Sequence, residues 1–515
     1  MSKTAVDNAR TYIYTLPQRF PNGGQRSAAM KPLSALVLST DGLAAALCAR
    51  LAGSPLVESV LLMQPEACGP CDPCVAVLRG ALPPGGPELA EALARSPAPL
   101  LLIVTEPRLE LEEAELEALV NKAAARPDAA MLYFDFFEGS RDRIRPLIPC
   151  QTGSIRDDFF FGPLQLYRRS NVEQALRESP LSPSSCAGLY ELRLKASCSG
   201  PILHLDGPVG CVAGGGQGQA HFAYVDPANR HCQREMEAIA TAHLERIGAL
   251  CRAPARSFAA RTHGWPVEAS IVIPVRNRCG TIGDAIESAL GQTAPFAFNV
   301  LAVDNHSTDG TSEIIRQRAG RERRLVHIVP EVTGLGIGGC WNAAVQSEHC
   351  GRFVCQLDSD DLYEGEDTLA RMIAMLQQGC GMAVGSYRLV NLALEEIPPG
   401  IVDHREWTPE NGRNNLLRVQ GIGAPRAFAT ELLRLYPFPD VSYGEDYAAA
   451  LRISRDYRIG RIYEPLYMCR RWEGNSDSQL SVEQANRFAL YKDTLRTAEI
   501  EQRRQANRAS DANNG

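Results

Sequence analysis

The chain lacks long apolar runs and an excess of positive charge, and each absence excludes a class of function. No uninterrupted apolar stretch in the 515 residues approaches the roughly 18 residues that a membrane-spanning helix needs. The formal net charge of -7 at pH 7 argues against a protein that neutralises nucleic-acid phosphates along a basic face. The opening residues are polar and interrupted by proline, without the charged-then-apolar pattern of a secretory signal. We therefore expect a cytoplasmic protein with no nucleic-acid partner, and the inner membrane face is an alternative peripheral location.

The composition indicates a globular chain of two domains. Hydrophobic residues make up 45% and charged residues 22% of the sequence, and 515 residues exceed what one ordinary hydrophobic core holds. In a reducing compartment the 16 cysteines are expected to be free thiols. Cys68, Cys71 and Cys74 have metal-like spacing, but no second paired-cysteine motif accompanies them, so a loop with three free thiols is the favoured alternative.

The two halves of the chain carry the same signals in the same order. Apolar strands, acidic loops and helix starts recur, which is typical of an internal repeat. The paired segments are 34–39 with 270–275, 100–104 with 352–357, and 187–197 with 444–454. Strands that alternate with helices favour α/β layers with mainly parallel sheets. The sequence therefore predicts two tandem α/β domains, with a boundary in the proline- and glycine-containing stretch 252–266.

The acidic segment Asp358–Asp361 follows the apolar strand 352–357. Open α/β sheets bind ligands at the carboxyl ends of their strands. Carboxylates placed there can hold Mg²⁺ or Mn²⁺, which completes its shell with water and substrate phosphates. The alternative is an acidic turn that caps a helix starting near Tyr363.

Two further acidic positions stand at the ends of predicted elements. Asp304 follows the apolar strand 299–303, where a carboxylate can accept hydrogen bonds from a base or a ribose. Glu445 and Asp446 open a helix, which places a carboxylate where it could take a proton from an attacking hydroxyl. The alternative for this pair is a favourable interaction with the helix dipole alone.

Taken together, these segments resemble the inverting family 2 glycosyltransferases of the GT-A fold, over residues 269–479. Five pieces match in the family's order. They are the opening strand at 270–277, the second acidic loop at 303–311, the glycine-rich segment at 334–342, the metal motif at 358–361 and the Glu-Asp pair at 445–446. The fold class implied is two tandem GT-A-like domains with mainly parallel central sheets.

The resemblance implies roles for particular residues. Asp446 is the expected base with Glu445 beside it, and Asp360 with Asp358 is expected to hold Mg²⁺ or Mn²⁺. The expected donor-binding residues are Pro274, Val275, Asn277, Asp304, Asn342, Asp358, Arg471 and Trp472. Arg471 and Trp472 lie where family members have a loop that closes over donor and acceptor, although Arg470 and Arg471 are also compatible with a surface pair.

The sequence departs from the family at three positions. Asn305 and His306 stand where the nucleotide loop usually has aspartate and glycine, and Trp341 replaces the arginine of the glycine-rich segment. The resemblance therefore implies a nucleotide pocket without implying selectivity for uridine.

The resemblance also divides the chain. Residues 1–260 are expected to form a degenerate, non-catalytic domain, 266–495 the catalytic domain and 497–515 a polar flexible tail. At the aligned positions the first domain has Thr105–Arg108 in place of the metal motif and Gly188–Leu189 in place of the Glu-Asp pair. The segment 154–162 is similar to that of two-part family 2 proteins in which a degenerate domain comes first.

The expected reaction is the metal-assisted transfer of a sugar, with inversion, from a nucleotide diphosphate donor to the hydroxyl of a glycan or other acceptor. One alternative is a sugar nucleotidyltransferase, but neither opening strand is followed by a glycine-rich loop and a basic residue that could grip a triphosphate. Another is a non-catalytic protein that binds nucleotide sugars or glycans, which suits the first domain better than the second.

Overall fold

The computed structural model describes residues 30–40, 43–65, 75–214, 229–405, 407–472, 475 and 480–514. Cys68, Cys71 and Cys74 lie outside these ranges. Within them, no helix combines the length and the apolar content needed to cross a membrane.

The first half of the chain forms two sheets and the helices that cover them. Its elements are β1 (Leu33–Leu38), α1 (Ala45–Gly53), β2 (Val57–Gln64), β3 (Ala76–Arg79), α2 (Gly86–Ala94), β4 (Leu100–Val104), β5 (Leu109–Glu110), α3 (Glu113–Ala125), β6 (Met131–Phe134), β7 (Phe136–Glu138), β8 (Ile144–Arg145), β9 (Leu164–Arg168), α4 (Arg169–Glu178), α5 (Gly188–Ala196), β10 (Ile202–Leu205), β11 (Cys211–Val212) and α6 (Arg230–Arg246).

The second half forms one larger sheet and its helices. Its elements are β12 (Ala269–Val275), α7 (Ile282–Leu290), β13 (Phe298–Asp304), α8 (Thr311–Ala319), β14 (Leu325–Ile328), α9 (Ile337–Gln346), β15 (Phe353–Gln356), β16 (Leu362–Tyr363), α10 (Thr368–Gln377), β17 (Met382–Val390), β18 (Glu396–Val402), α11 (Gly412–Asn415), β19 (Arg426–Ala429), α12 (Thr430–Leu435), α13 (Glu445–Asp456), β20 (Ile459–Arg470) and α14 (Val482–Asn514).

The two main sheets have the same strand order. The first runs β3-β2-β1-β4-β9-β6-β10, and the second runs β14-β13-β12-β15-β19-β17-β20, with β16 beyond it. The directions also agree, because β9 is antiparallel to both its neighbours in the first sheet and β19 is antiparallel to both of its own in the second. The predicted fold class of two tandem α/β domains with mainly parallel sheets is confirmed.

The central strands are apolar along nearly their whole length because helices cover both faces of each sheet. Every residue of β1 and of β13 is buried, as is all of β12 except Pro274. The parallel pairing of β12 with β13 and β15 brings the carboxyl ends of these strands to one edge of the sheet. Asp304, which ends β13, and Asp358, which follows β15, therefore lie at the same edge.

The two halves share buried surface. Ile155, Tyr190 and Leu244 of the first half belong to the same apolar cluster as the core of the second sheet. In the other direction, Ala489 and Leu490 of α14 pack against the core of the first sheet. The C-terminal helix therefore contacts both halves.

Residues 497–515 were expected to form a flexible tail. This prediction is wrong for residues 497–514, because they continue α14. Ile500 is fully buried and Arg503 is 1% exposed. The Arg503 guanidinium donates to Glu499 Oε1 at 2.8 Å and to the Arg413 carbonyl at 3.0 Å. Glu499, Ile500 and Arg503 are the buried residues of this segment, and they pack the end of the helix against the rest of the fold.

The expectation that all cysteines are free thiols is also wrong at one pair. Cys186, which precedes α5, is bonded to Cys232 in the first turn of α6. The other cysteines in the described ranges are free. This bond joins two helices of the first half that already pack together.

We expect Ile500→Ala to lower the free energy of unfolding by about 2–5 kcal/mol, because it leaves a cavity in a closed core. Chemical denaturation measures the change. Arg508→Ala, at an exposed position of the same helix, is the control and should stay within about 0.5 kcal/mol of the wild type. Equal stability of Ile500→Ala and the wild type would show that the end of α14 is not docked.

Candidate active site

The acidic segment Asp358–Asp361 lies directly after β15, at the carboxyl edge of the second sheet. Tyr363 is part of β16, which pairs with β20, and the next helix begins only at Thr368. The acidic segment is therefore not the cap of a helix that starts near Tyr363. It is fixed by other contacts, since Asp358 N–H donates to the Tyr467 hydroxyl at 3.0 Å and Asp361 accepts from Arg470 N–H at 2.7 Å.

Like charges crowd this segment. Burial and the neighbouring carboxylates Asp358 and Asp360 raise the pKa of Asp361 well above its ordinary value. Burial also raises the pKa of Asp358, and the Arg426 guanidinium and the Gln356 amide offset only part of that rise. Crowded carboxylates fit a hard divalent cation, which would relieve their repulsion.

Asp360 is the carboxylate of this group that faces the loop after β20. Its Oδ2 accepts from Trp472 Nε1 and from Asn475 Nδ2, both at 3.3 Å. Arg278 Nε lies 3.6 Å from the same oxygen, and its guanidinium stands 5.9 Å from the centre of the Trp472 ring. The loop predicted to close over the donor is thus in contact with the predicted metal ligand.

Arg470 and Arg471 are not a surface pair. Arg470 is 3% exposed and donates to the Asp360 carbonyl and, at 2.9 Å, to Asp284 Oδ2. Arg471 N–H donates to the Val390 carbonyl at 2.8 Å. These contacts hold the base of the closing loop against the acidic segment.

Asp304 ends β13 and is 1% exposed. Its carboxylate accepts from Ser307 N–H at 2.9 Å, from the Ser312 hydroxyl and from His327 Nε2 at 3.3 Å. Burial alone would raise the pKa of Asp304, but these hydrogen bonds lower it below its ordinary value. The carboxylate is therefore held ionised and in a fixed orientation.

The loop after β12 is bound to the loop after β13. Asn277, with a positive φ of 53°, accepts from Thr308 N–H at 2.8 Å and donates its own N–H to the Ser307 hydroxyl at 3.0 Å. The strand residues Pro274 and Val275 lead into this junction. The structure thus brings together the expected donor-binding residues of the first two loops.

The glycine-rich segment has a packing role at two of its residues. The Asn342 amide donates to the Phe438 carbonyl at 2.8 Å and accepts from Phe438 N–H at 3.0 Å. Trp341 is buried, with its ring centroid 5.4 Å from that of Phe438 and 6.1 Å from that of Phe428. Asn342 therefore holds the backbone of Phe438 in place. Trp341, which stands where the family usually has arginine, is a core residue.

Glu445 and Asp446 form the first turn of α13, after the left-handed Gly444. Asp446 is paired with Arg426 of β19. Burial tends to raise the pKa of Asp446, but Arg426 and Lys492 outweigh it and the pKa lies below its ordinary value.

The pKa of Glu445 is shifted in the opposite direction to that of Asp446. Burial and the adjacent Asp446 raise its pKa from 4.5 to about 8, and its Oε2 is buried without a hydrogen-bond partner among the described residues. Near neutral pH the pair therefore presents one ionised and one protonated carboxyl group, which is the pattern of groups with different roles in proton transfer.

The corresponding positions of the first domain lack these groups. Glu106 is paired with Arg108 at 2.9 Å. Gly188 begins α5, as Glu445 begins α13, and a Cβ at Gly188 would lie 2.4 Å from the Gly85 carbonyl oxygen. Glu191 is buried and bonded to Ser182 and Lys195.

Several residues of the site carried no recognisable motif. Arg278 lies in a loop and Arg426 in a strand, and only the folded chain brings them to Asp360 and Asp446.

Cys186, His231 and Cys232 of the first domain lie close together, although no spacing in the sequence pointed to them. Their ligand atoms lie within 4.8 Å of one another, although the two cysteines are bonded to each other.

Comparison with known proteins shows that part of the chain is similar to a known family. Residues 270–433 match the model of Glycosyl transferase family 2. TuaG of Bacillus subtilis, named for teichuronic acid biosynthesis, is 29% identical over 126 residues, which are 24% of this chain and 49% of TuaG. WfgD of Escherichia coli, a UDP-Glc:α-D-GlcNAc-diphosphoundecaprenol β-1,3-glucosyltransferase, is 28% identical over 198 residues, 38% of this chain and 72% of WfgD.

Solved structures give weaker likenesses. S. aureus TarS 1-349 with UDP-GlcNAc has a TM-score of 0.37 at 20% identity, covering 46% of this chain and 70% of that one. The mannosyltransferase PcManGT of Pyrobaculum calidifontis, with GDP-Man and Mn²⁺, has a TM-score of 0.33 at 19% identity, covering 56% and 87%. These likenesses are weaker than the match of residues 270–433 to the family model.

The segment matched by that model contains the carboxyl edge of the second sheet and the carboxylates Asp304, Asp358 and Asp360. The chain is similar to glycosyl transferase family 2 over residues 270–433. It spans about half the length of TuaG and more of WfgD.

We expect Glu445→Gln to become more stable than the wild type as the pH rises. Between pH 4.5 and about 8 the folded state holds a proton that the unfolded state releases, so Glu445 lowers stability progressively across this window. The amide mimics the protonated form and removes that loss.

Thermal unfolding from pH 5 to 8 measures the effect as a difference in Tm that grows with pH. Glu117→Gln, at an exposed position, is the control and should follow the wild type. A difference that does not change with pH would contradict the raised pKa of Glu445.

Proposed function

We propose that this enzyme transfers a sugar from a nucleotide diphosphate donor to a hydroxyl group of a glycan acceptor, with inversion at the anomeric carbon and with help from Mg²⁺ or Mn²⁺. One observation carries the proposal. Arg426 pairs with Asp446 and also lowers the pKa of Asp358, so the proposed base and the crowded carboxylates after β15 share one arginine.

The donor would lie across the loops that follow β12, β13 and β15. Asp304, held ionised by Ser307 and Ser312, is proposed to face the nucleoside, with Asn277 and Asp358 beside it. Asp360 and Asp358 would hold the divalent cation, which supplies positive charge to the departing diphosphate. Arg471 and Trp472, next to Asp360, would cover the donor and exclude water.

The transfer step needs one base. Asp446 is ionised because Arg426 and Lys492 lower its pKa, so it can accept the proton of the acceptor hydroxyl. The acceptor oxygen then bonds to the anomeric carbon from the face opposite the nucleotide, and the bond to the diphosphate oxygen breaks with its electron pair. One displacement of this kind inverts the anomeric configuration.

The relatives support the same class of substrates. WfgD is named for UDP-Glc as donor and a GlcNAc-diphospholipid as acceptor. We propose a saccharide acceptor for this chain and a cytoplasmic location where nucleotide sugars are available. The domain of residues 1–260 is proposed to be non-catalytic, since Glu106 is paired with Arg108 and no acid stands at Gly188.

Asp360→Asn should abolish transfer and metal-dependent nucleotide binding without unfolding the protein, because it removes one cation ligand from a partly exposed strand end. Titration of UDP and GDP with and without Mn²⁺, by calorimetry or by shift in Tm, measures the binding. Glu106→Gln is the control and should leave turnover unchanged. Glu106 is the acidic residue of Thr105–Arg108, the segment of the first domain that corresponds to Asp358–Asp361. Wild-type Mn²⁺ dependence in Asp360→Asn would remove Asp360 from the metal site.

Asp446→Asn should lower kcat by at least about a hundredfold, the range lost with a general base, while donor affinity is nearly kept. Steady-state transfer assays and donor titration together measure the two quantities. If donor binding collapsed and turnover persisted, Asp446 would be a structural residue of the α13 cap.

A further inference from the structure

Lys492 is a buried cation beside the turn that carries the base. It lies on α14, outside the matched segment 270–433, and is 7% exposed. Its Nζ donates to the Gln420 carbonyl at 2.7 Å and stands 4.3 Å from the centre of the Tyr443 ring. A lysine is rarely buried without a charge to balance it, so this position calls for a partner.

The stem of Lys492 packs on the residue before the Glu-Asp pair. A Cβ added at Gly444 would lie 3.4 Å from Lys492 Cγ and 3.5 Å from Lys492 Cε. Tyr443 on one side stacks on Phe488 of α14 with 4.3 Å between ring centroids. The start of α13 is therefore seated directly on α14.

The charges around Asp446 come from four elements. Arg426 of β19 and Lys492 of α14 are positive, while Glu445 of α13 and Asp358 after β15 are acidic. Lys492 in turn faces Asp446, Glu445, Asp158 and Arg496, and burial lowers its pKa to about 8 although the three acidic groups act against that change. Lys492 is thus the second cation that acts on Asp446.

The first domain holds α14 in this position. Asp493, next to Lys492, is fully buried and accepts from the Ser154 hydroxyl at 2.8 Å and from Arg156 Nε at 3.2 Å. Gln420, whose carbonyl binds Lys492, donates its amide to Asp158 Oδ2 at 2.9 Å. Residues 154–158 therefore anchor both the helix that carries Lys492 and the segment that accepts its hydrogen bond.

We infer that Lys492 is a positioning residue for Asp446, supplied by a helix beyond the family module and anchored by the first domain. It keeps the turn at Gly444 in place and stabilises the ionised form of the base. The inference rests on the proposed function, because it assigns Lys492 to the base of that reaction.

The kinetic test compares Lys492→Met and Lys492→Arg across pH. Without the cation the pKa of Asp446 rises, so the acid limb of the kcat/KM profile should move to higher pH by about one unit in Lys492→Met. Lys492→Arg keeps the charge and should restore the wild-type limb. Arg487→Met, which removes an exposed charge from the same helix, is the control and should match the wild type.

Two kinetic outcomes would overturn the inference. One is an unshifted acid limb in Lys492→Met, and the other is an equal shift in Lys492→Arg. If Lys492→Met does not fold, Lys492→Gln serves as the neutral variant with the same expected shift.

A measurement without turnover separates this inference from the proposed function. In a double-mutant cycle, the Tm changes of Lys492→Met and Asp446→Asn should be non-additive at pH 7, whereas those of Arg487→Met and Asp446→Asn should add. Additive changes in the first pair would refute the coupling between Lys492 and the base. If the two residues are coupled but the wild type transfers no sugar from any nucleotide donor, the proposed function is refuted and the coupling stands.

Discussion

The buried carboxylate of Asp493 is the constraint on which the arrangement of the chain depends. A charge without access to water must be hydrogen-bonded on every side, and here the donors come from Ser154 and Arg156 in the first domain and from Arg496 on the same helix. The donors outside α14 are Ser154 and Arg156, so Asp493 is satisfied only where α14 lies against this segment of the first domain. Arg496 extends this network to the Tyr447 hydroxyl at 2.9 Å, one residue after the base. A break in the network would leave several buried charges uncompensated at once.

The apolar strands and the acids that follow them could be predicted because both follow from local sequence. Asp304, Asp358 and the Glu445–Asp446 pair each stand at the end or start of an element whose apolar pattern is clear. Arg426 and Lys492 could not be found this way, since each acts on Asp446 from a distant part of the sequence and neither belongs to a recognisable motif. The last residues of α14 were predicted to be a polar tail because Ile500 is their only large apolar residue. Its burial depends on the groove that receives it.

Glu445 and Asp446 show how position decides the properties of chemically similar groups. They are adjacent in sequence, yet the pKa of one is raised and that of the other is lowered. The difference comes from geometry, because Arg426 pairs with Asp446 while Glu445 Oε2 is buried without a hydrogen-bond partner in the described part of the chain. The first turn of a helix projects successive side chains in different directions. Two neighbouring acids can therefore have opposite electrostatic surroundings.

The main chain around Gly188 excludes a side chain from the start of α5. In the first domain the backbone of Pro84 and Gly85 occupies the space that a side chain at Gly188 would need, with the Gly85 oxygen 2.4 Å from a Cβ placed there. Replacement of Gly188 by an acid would therefore require the loop before α2 to move as well. Because the obstacle at Gly188 is main chain and not a side chain, no second side-chain substitution nearby would by itself make room for a carboxylate at this position.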